Sequence, residues 1–294
     1  MKSRFKVFDF INYFILVLLG FVTLYPLWNA LAISLNDGRD TMRGGITFFP
    51  RVFTLENYII VFKDPSLLNS FIITVERTLL GTVTSVLATA ILAYGLSDKR
   101  LLGKKFYIGI CVVSMYFSGG LIPYYILIYK LGLVNNFLVY IIPSLISVFN
   151  VIVMMTYFKQ LPDAIKESAK IDGAREFTIF FRIILPVSAP IIATISLFNG
   201  VDQWNSWFDA YIFITKENLL PLQNIIVRII NTNSLDSARA KASAGLQVLS
   251  RFNRVTAKSL NMSTMMISII PIVLVYPFLQ KYFIKGIMIG SVKG

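Results

Sequence analysis

The sequence predicts an all-α integral membrane protein of six transmembrane helices, and three observations carry that prediction. Residues of the hydrophobic set make up 56% of the 294-residue chain and only 15% are charged, against roughly 45–50% and about 25% in an ordinary soluble domain. The apolar residues gather into runs of about 20 or more, enough at about 1.5 Å per residue to cross a hydrocarbon core of about 30 Å. The 28 Lys and Arg against 15 Asp and Glu, a net +13, lie between those runs. A nucleic-acid binder would instead cluster such charge on a soluble face, so no nucleic-acid partner is expected.

The first run, about 10–35, follows Lys2, Arg4 and Lys6 and contains Ala30-Leu31-Ala32, a sequence that would suit signal-peptide cleavage. It is far longer than a secretory apolar core of about 7–15 residues and holds Pro26 and Trp28, so it reads as an uncleaved first span. The further runs are about 68–96, 106–129, 137–158, 188–214 and 262–283. Backbone groups in lipid must find partners within the segment, so each run is expected to be a helix. The connections 98–105 and 159–187 are short and hold four and five basic residues, which puts them, and with them both termini, in the cytoplasm. The long loops 36–67 and 215–261 then fall outside, where length exempts them from the positive-inside rule. Asn36-Asp37-Gly38, Gly44-Gly45 and Asp64-Pro65 make the first of these an irregular cap. The second carries helix-prone Ser237–Leu246. Without internal repeats or low-complexity tracts, the chain reads as one transmembrane domain, 1–294.

Several chemistries are excluded. With no histidine, imidazole bases, His-ligated metals and Ser-His-Asp triads are absent. Cys111 is the only cysteine and cannot form a disulfide within the chain. No phosphate-binding loop occurs: Gly103-Lys104-Lys105 lacks the upstream glycine and the Ser/Thr, and Ser118-Gly119-Gly120 lies inside an apolar run. The chain is not expected to be an enzyme or to bind a cofactor itself, and any ATP hydrolysis has to come from separate subunits.

The most informative segment is the connection 159–187. Pro162 stands where a first helical turn tolerates proline, and Gly173 can take the positive φ that ends a helix, so Leu161–Asp172 is expected as a short surface helix. Ala164, Ile165, Ser168, Ala169 and Ile171 would give it a small apolar face suited to close docking on another protein. Glu167-Ser168-Ala169, Gly173 and then Leu185-Pro186 resemble the EAA loop of ATP-binding-cassette importer permeases, with Ser168 standing where the family has alanine. Asn69-Ser70, Ala93-Tyr94-Gly95-Leu96, Leu131-Gly132-Leu133 and Trp204-Asn205-Ser206-Trp207-Phe208-Asp209 resemble the carbohydrate-uptake, maltose-type branch and its smaller six-span permease. The last of these, with Phe117–Pro123, is most similar to permeases for complex oligosaccharides.

The resemblance implies a type I importer permease in a bacterial cytoplasmic membrane. It would work with a second homologous permease, two ATPase subunits that use ATP and Mg, and an extracytoplasmic sugar-binding protein. It assigns ATPase coupling to Glu167, Ser168, Ala169, Asp172, Gly173, Leu185 and Pro186, and makes the glycine-rich end, Gly290, Lys293 and Gly294, an ATPase-contacting tail. Charged and aromatic residues within the spans, Glu76, Arg77, Trp204, Asn205, Trp207 and Asp209, are candidates for the substrate path. Asp202 and Asp209, seven apart, are expected near one helical face. The ordinary alternatives are packing polarity for Glu76-Arg77 and an interfacial aromatic belt or subunit interface for the tryptophans. Two rival functions remain open: an ion-coupled secondary transporter, expected to carry discontinuous helices and buried titratable groups, and a membrane-embedded enzyme using Glu76 or Asp209 as acid or base.

Overall fold

The computed structural model describes residues 7–228 and 255–291, and the side chains of the final helix as far as 277. Among the described residues it is all-helical, with a single isolated β-bridge between Asn36 and Phe53. The chain forms two compact units.

The first unit comprises Met1–Leu68 and Ile226–Ile270. Helix α1 (Val7–Ser34) runs unbroken through Pro26. Beyond it, the segment expected to be irregular is ordered by side-chain amides. Asp37 caps the short α2 (Gly38–Met42) by accepting from the Arg39 and Asp40 amides. The fully buried Asn57 of α3 (Glu56–Lys63) donates to the Ser34 and Asn36 carbonyls at 2.8 and 2.9 Å. The Ser34 carbonyl, at the end of α1, also accepts from Ser263 Oγ at 3.3 Å, so backbone groups that lose their helical partners there are met by side chains.

The second unit comprises Asn69–Ile225 and Pro271–Gly294. Its axis is α4 (Pro65–Ser97), 33 residues long. Then come α5 (Lys104–Tyr116), α6 (Leu121–Lys130), a 3-10 turn at Phe137–Tyr140, α7 (Val148–Phe158) and α8 (Asp163–Ile171). They are followed by α9 (Glu176–Ile179), a π turn at Phe180–Ile184, α10 (Leu185–Val187), α11 (Ala189–Asn205) and α12 (Phe208–Phe213). The helical turn α13 (222–228) and α14 (Ala257–Ser291) complete the chain's described elements.

Among the described residues, three helices are long and apolar enough to cross a membrane: Phe8–Ser34, Pro65–Ser97 and Ala257–Pro277. Two more candidates are bent pairs, α5 with α6 at 113°, and Glu176–Val187 with α11 at 81°. The runs 106–129, 137–158 and 188–214 are therefore not single straight helices. Gly120, at φ +81°, breaks the first. The second holds the 3-10 turn and, as α-helix, the eleven residues of α7, and the third is interrupted at Ser206, whose extended backbone ends α11. The π turn has a local cause: Pro186 has no N–H to offer the Arg182 carbonyl, and the Leu185 amide reaches back to the Phe180 carbonyl instead.

A row of α4 residues four apart, Ile73, Arg77, Gly81, Ser85, Thr89 and Ala93, is buried. Near the Ser97 end, Ala90, Ala93, Phe158, Ile179 and Ile184 belong to one apolar cluster. Nearer the start, Ile73, Tyr140, Ala210 and Phe213 belong to another. Between the two lies a polar layer.

Candidate coupling surface and buried polar layer

The expected surface helix forms as α8, two residues shorter at its start and one at its end: Pro162 sits at the N-cap and Asp163 opens the helix. Gly173 takes φ +79°. Its amide bonds to the Lys170 carbonyl at 3.0 Å, and the Ala174 amide bonds to the Ala169 carbonyl at 2.9 Å, the paired closure that a left-handed residue after a helix permits. The docking face differs from the expected one. Ala169 is turned inward, 6% exposed in the core, whereas Ile171 is 86% exposed. The exposed stripe is Ala164, Glu167, Ser168 and Ile171, at the i, i+3, i+4, i+7 spacing of one helical face. Asp172 and Pro186 are exposed, and Leu185 is half-buried against the core cluster.

One ion pair joins α8 to the turn just after α4, and another joins it to the start of α9. Lys99 Nζ lies 2.6 Å from Asp163 Oδ2, and Lys170 Nζ lies 2.5 Å from Glu176 Oε1. Arg100 reaches both Asp98 at 3.4 Å and Glu176 at 3.8 Å. The Tyr94 hydroxyl donates to Glu176 Oε2 at 3.1 Å, and Lys166 Nζ stands 4.9 Å over the Tyr94 ring. These groups line a polar cleft of 430 Å³. The hydrogen bond from Lys99 holds the Asp163 carboxyl below its ordinary range, and Asp163 in turn raises Lys99. A backbone N–H bond from Arg100 does the same for Asp98. The expected local partner of Glu167, Lys170, is taken by Glu176, and among the described residues Glu167 has no ion pair within 4 Å.

The second arrangement is the polar layer. Arg77 is 1% exposed. Its Nε and Nη2 donate to Gln203 Oε1 at 3.2 and 3.1 Å, and Nη1 donates to the Ser206 carbonyl at 3.0 Å. The guanidinium lies 4.3 Å over the Tyr140 ring and 3.7 Å from Asp209 Oδ2. Gln203 Nε2 donates to Ser144 Oγ at 2.7 Å and to the Tyr140 carbonyl at 3.1 Å. Ser206 Oγ donates to Asp209 Oδ2 at 3.0 Å.

This geometry redistributes the path candidates. Glu76 is exposed and pairs with no cation within 4 Å among the described residues, so the sequence neighbours Glu76 and Arg77 are not one pair. Successive helical residues point about 100° apart. Asp202 and Asp209 do not share a helical face, because the break at Ser206 falls between them. Trp204 is buried, edge-on to Phe71 at 6.1 Å. Asn205, Trp207 and Asp209 reach the surface to differing extents, Trp207 being 38% exposed and the Asp209 side chain 33%. Sequence reasoning missed Gln203 as a ligand of Arg77 and Glu176 as the hub of the clamp. The signal for Gln203 was Gly81, since a Cβ there would stand 2.8 Å from the Gln203 amide. Gly290 lies in α14, whereas Lys293, Gly294 and the expected helix at 237–246 lie outside the described residues.

The pattern of the family described as "Binding-protein-dependent transport system inner membrane component" matches residues 85–288, which takes in α8, the π turn and the break at Ser206. The chain belongs to that family. Among relatives of this permease, the polygalacturonan/rhamnogalacturonan transport system permease protein YtcP of Bacillus subtilis is 32% identical over the whole of both chains. The LplC protein of Bacillus subtilis is 35% identical over 98% of this chain and 96% of its own. The arabinooligosaccharides transport system permease protein AraQ of Halalkalibacterium halodurans is 26% identical over 94% of this chain and 93% of its own. A crystal structure of a bacterial ABC transporter involved in the import of the acidic polysaccharide alginate contains a chain that matches this permease with a TM-score of 0.85 at 27% identity. The match covers 96% of this chain and 99% of that one.

Proposed function

We propose that this permease is one half of the translocation path of an ATP-driven oligosaccharide importer, formed with a second homologous permease and coupled to two ATPase subunits through 161–173. The observation that carries this reading is α8: an exposed stripe, Ala164, Glu167, Ser168 and Ile171, on a helix tied by one ion pair to the turn that ends a 33-residue helix and by another to α9. A docking helix held in this way transmits displacement instead of swinging freely. The names of the relatives supply the substrate class, since polygalacturonan, arabino-oligosaccharides and alginate are all sugar polymers or their fragments.

On this reading the three continuous spans, the two bent pairs and the run 137–158 make six crossings, with both termini and the 159–187 loop in the cytoplasm. Gly290, Lys293 and Gly294 approach the ATPases, which hold the ATP and Mg. An extracytoplasmic binding protein delivers the sugar to Asn205, Trp207 and Asp209, which offer an amide, a ring face and a carboxylate. Closure of the ATPase dimer pushes α8, and the spans shift between inward-facing and outward-facing arrangements that ATP and the loaded binding protein jointly select.

The test is uptake of labelled trigalacturonate and arabinotriose into proteoliposomes holding the complete transporter with its binding protein outside. Uptake that requires internal ATP and survives collapse of ion gradients is the expected result. The buried Arg77 beside Asp209 and the broken helices favour one other reading, an ion-coupled transporter, for which uptake would need the gradient and not ATP.

A further inference from the structure

We infer that Arg77 is a positioning residue for transport: it holds the helix break at Ser206 and one oxygen of Asp209, so that the other oxygen and the Trp207 ring stand fixed toward the sugar path. The inference rests on the importer reading above and deepens it.

The first support is the cost of placing the residue where it is. A guanidinium 1% exposed in the middle of an apolar helix would be expelled or neutralised unless its donors were satisfied. Each of its three nitrogens donates to a neutral oxygen, Gln203 Oε1 or the Ser206 carbonyl. Asp209, at 3.7 Å, is close enough to balance the charge and too far to be a hydrogen-bond acceptor. An apolar side chain of similar volume would serve stability as well or better, so what the arginine supplies is geometry.

The second support is what Arg77 holds. The Ser206 carbonyl belongs to the residue that ends α11, where backbone groups lose their helical partners. Irregular backbone at membrane depth persists only where protein groups or a water-filled cavity satisfy it, and Arg77 Nη1 is such a group. Both contacts to Asp209, from Arg77 and from Ser206 Oγ, fall on Oδ2, and no hydrogen bond within the described residues occupies Oδ1. Trp207, 38% exposed, lies between the two anchored residues. Its ring meets Phe208 and Tyr211 edge-on at 5.8 and 5.9 Å, and a carboxylate and an indole on one short segment are groups that a sugar hydroxyl and its C–H face would meet.

The third support is independent of the charge. Gln203, which receives two donors of Arg77, lies against Gly81, where a Cβ would come within 2.8 Å of both its Cδ and its Nε2 and force the amide to shift. The gap on α4 is therefore shaped for the amide that orients the arginine.

Arg77→Lys keeps the charge and loses the fork that reaches two acceptors. Gly81→Ala leaves Arg77 in place and displaces Gln203. In the complete reconstituted transporter, with saturating binding protein and the two oligosaccharides named above, each variant is expected to lower sugar moved per ATP hydrolysed at least 5-fold, while ATPase stimulation stays within about 2-fold of the unaltered protein. Asp209→Asn should show the same split. If Arg77→Lys and Gly81→Ala move sugar at the unaltered ratio, or lose uptake and ATPase in equal proportion as a purely structural defect would, the positioning role is overturned. Failure of the importer reading itself is distinguishable, because the unaltered protein would then show no ATP-dependent uptake at all.

Discussion

At the scale of single residues, Gly173 and Glu167 separate two demands made on one short loop. Gly173 at φ +79° has no neighbouring atom within 4 Å of where a Cβ would sit, so the obstacle to substitution is conformational, roughly 1–2 kcal/mol for a residue with a side chain. Gly173→Asp is expected to leave the permease inserted and assembled and to cut sugar uptake at least 10-fold, as measured by transport per assembled complex. Glu167 poses the opposite case, an exposed carboxylate whose local cation is engaged elsewhere. A surface ion pair within the chain would matter little, so Glu167→Lys tests contact with another subunit. Stimulation of the ATPase by loaded binding protein should fall several-fold, and unchanged stimulation would leave Glu167 an ordinary solvated charge. The left-handed glycine that ends the short helix was legible in the sequence, through its spacing after Pro162. Glu176 was not, because its partners Tyr94, Arg100 and Lys170 come together only once the loop has folded back on α4.

At the scale of elements, the clamp between α8 and α4 sets a pH window. Asp163 and Asp98 have carboxyls lowered by their hydrogen bonds. Their contribution is present above the ordinary Asp value of about 3.9 and is lost as pH falls through the lower folded value. Lys99 is raised, so its contribution is present below about 10.4 and is lost only as pH climbs past the raised value. Hydrogen exchange at the amides of Asp163–Ile171 should therefore be flat from about pH 5 to 9 after correction for intrinsic rates, and accelerate below about pH 4. High salt should loosen it within the plateau, since Lys99 and Asp163 are well exposed and screened pairs weaken. The same scale shows where apolar run length misleads. The runs 106–129 and 188–214 satisfy a count of hydrophobic residues, yet Gly120 and Ser206 interrupt them. Hydropathy registers transfer from water, whereas continuity of a helix depends on the φ and ψ that each residue accepts. The run 137–158 includes Pro143, a reason to expect a break that length alone concealed.

At the scale of the whole molecule, two apolar clusters flank a polar layer along α4, and the surface beside that layer carries Trp207. If this segment meets sugar, Trp207→Ala should change the relative uptake of trigalacturonate and arabinotriose at least 3-fold with the partner permease still recovered in full. If recovery of the partner falls and the ratio stays, Trp207 belongs to the interface between permeases. The all-helical class and the short surface helix at 163–171 could be read from sequence because both depend on local pattern. The ligands of Arg77 could not, because Gln203 and Ser206 stand 126 and 129 residues away.

The π turn at Phe180–Ile184 carries a further consequence. Such a turn holds one residue more than the α turn it replaces, and one residue is about 100° of rotation. The insertion acts as a phase shifter, setting the azimuth at which α9 leaves the helix that follows. Removing a single residue from 180–184 would let the backbone relax to ordinary winding. Glu176 would then swing by about a quarter turn, away from both Lys170 and Tyr94, with none of the clamp's charged groups removed. In this part of the chain, length is itself a structural variable, and a one-residue deletion would do more damage than most replacements.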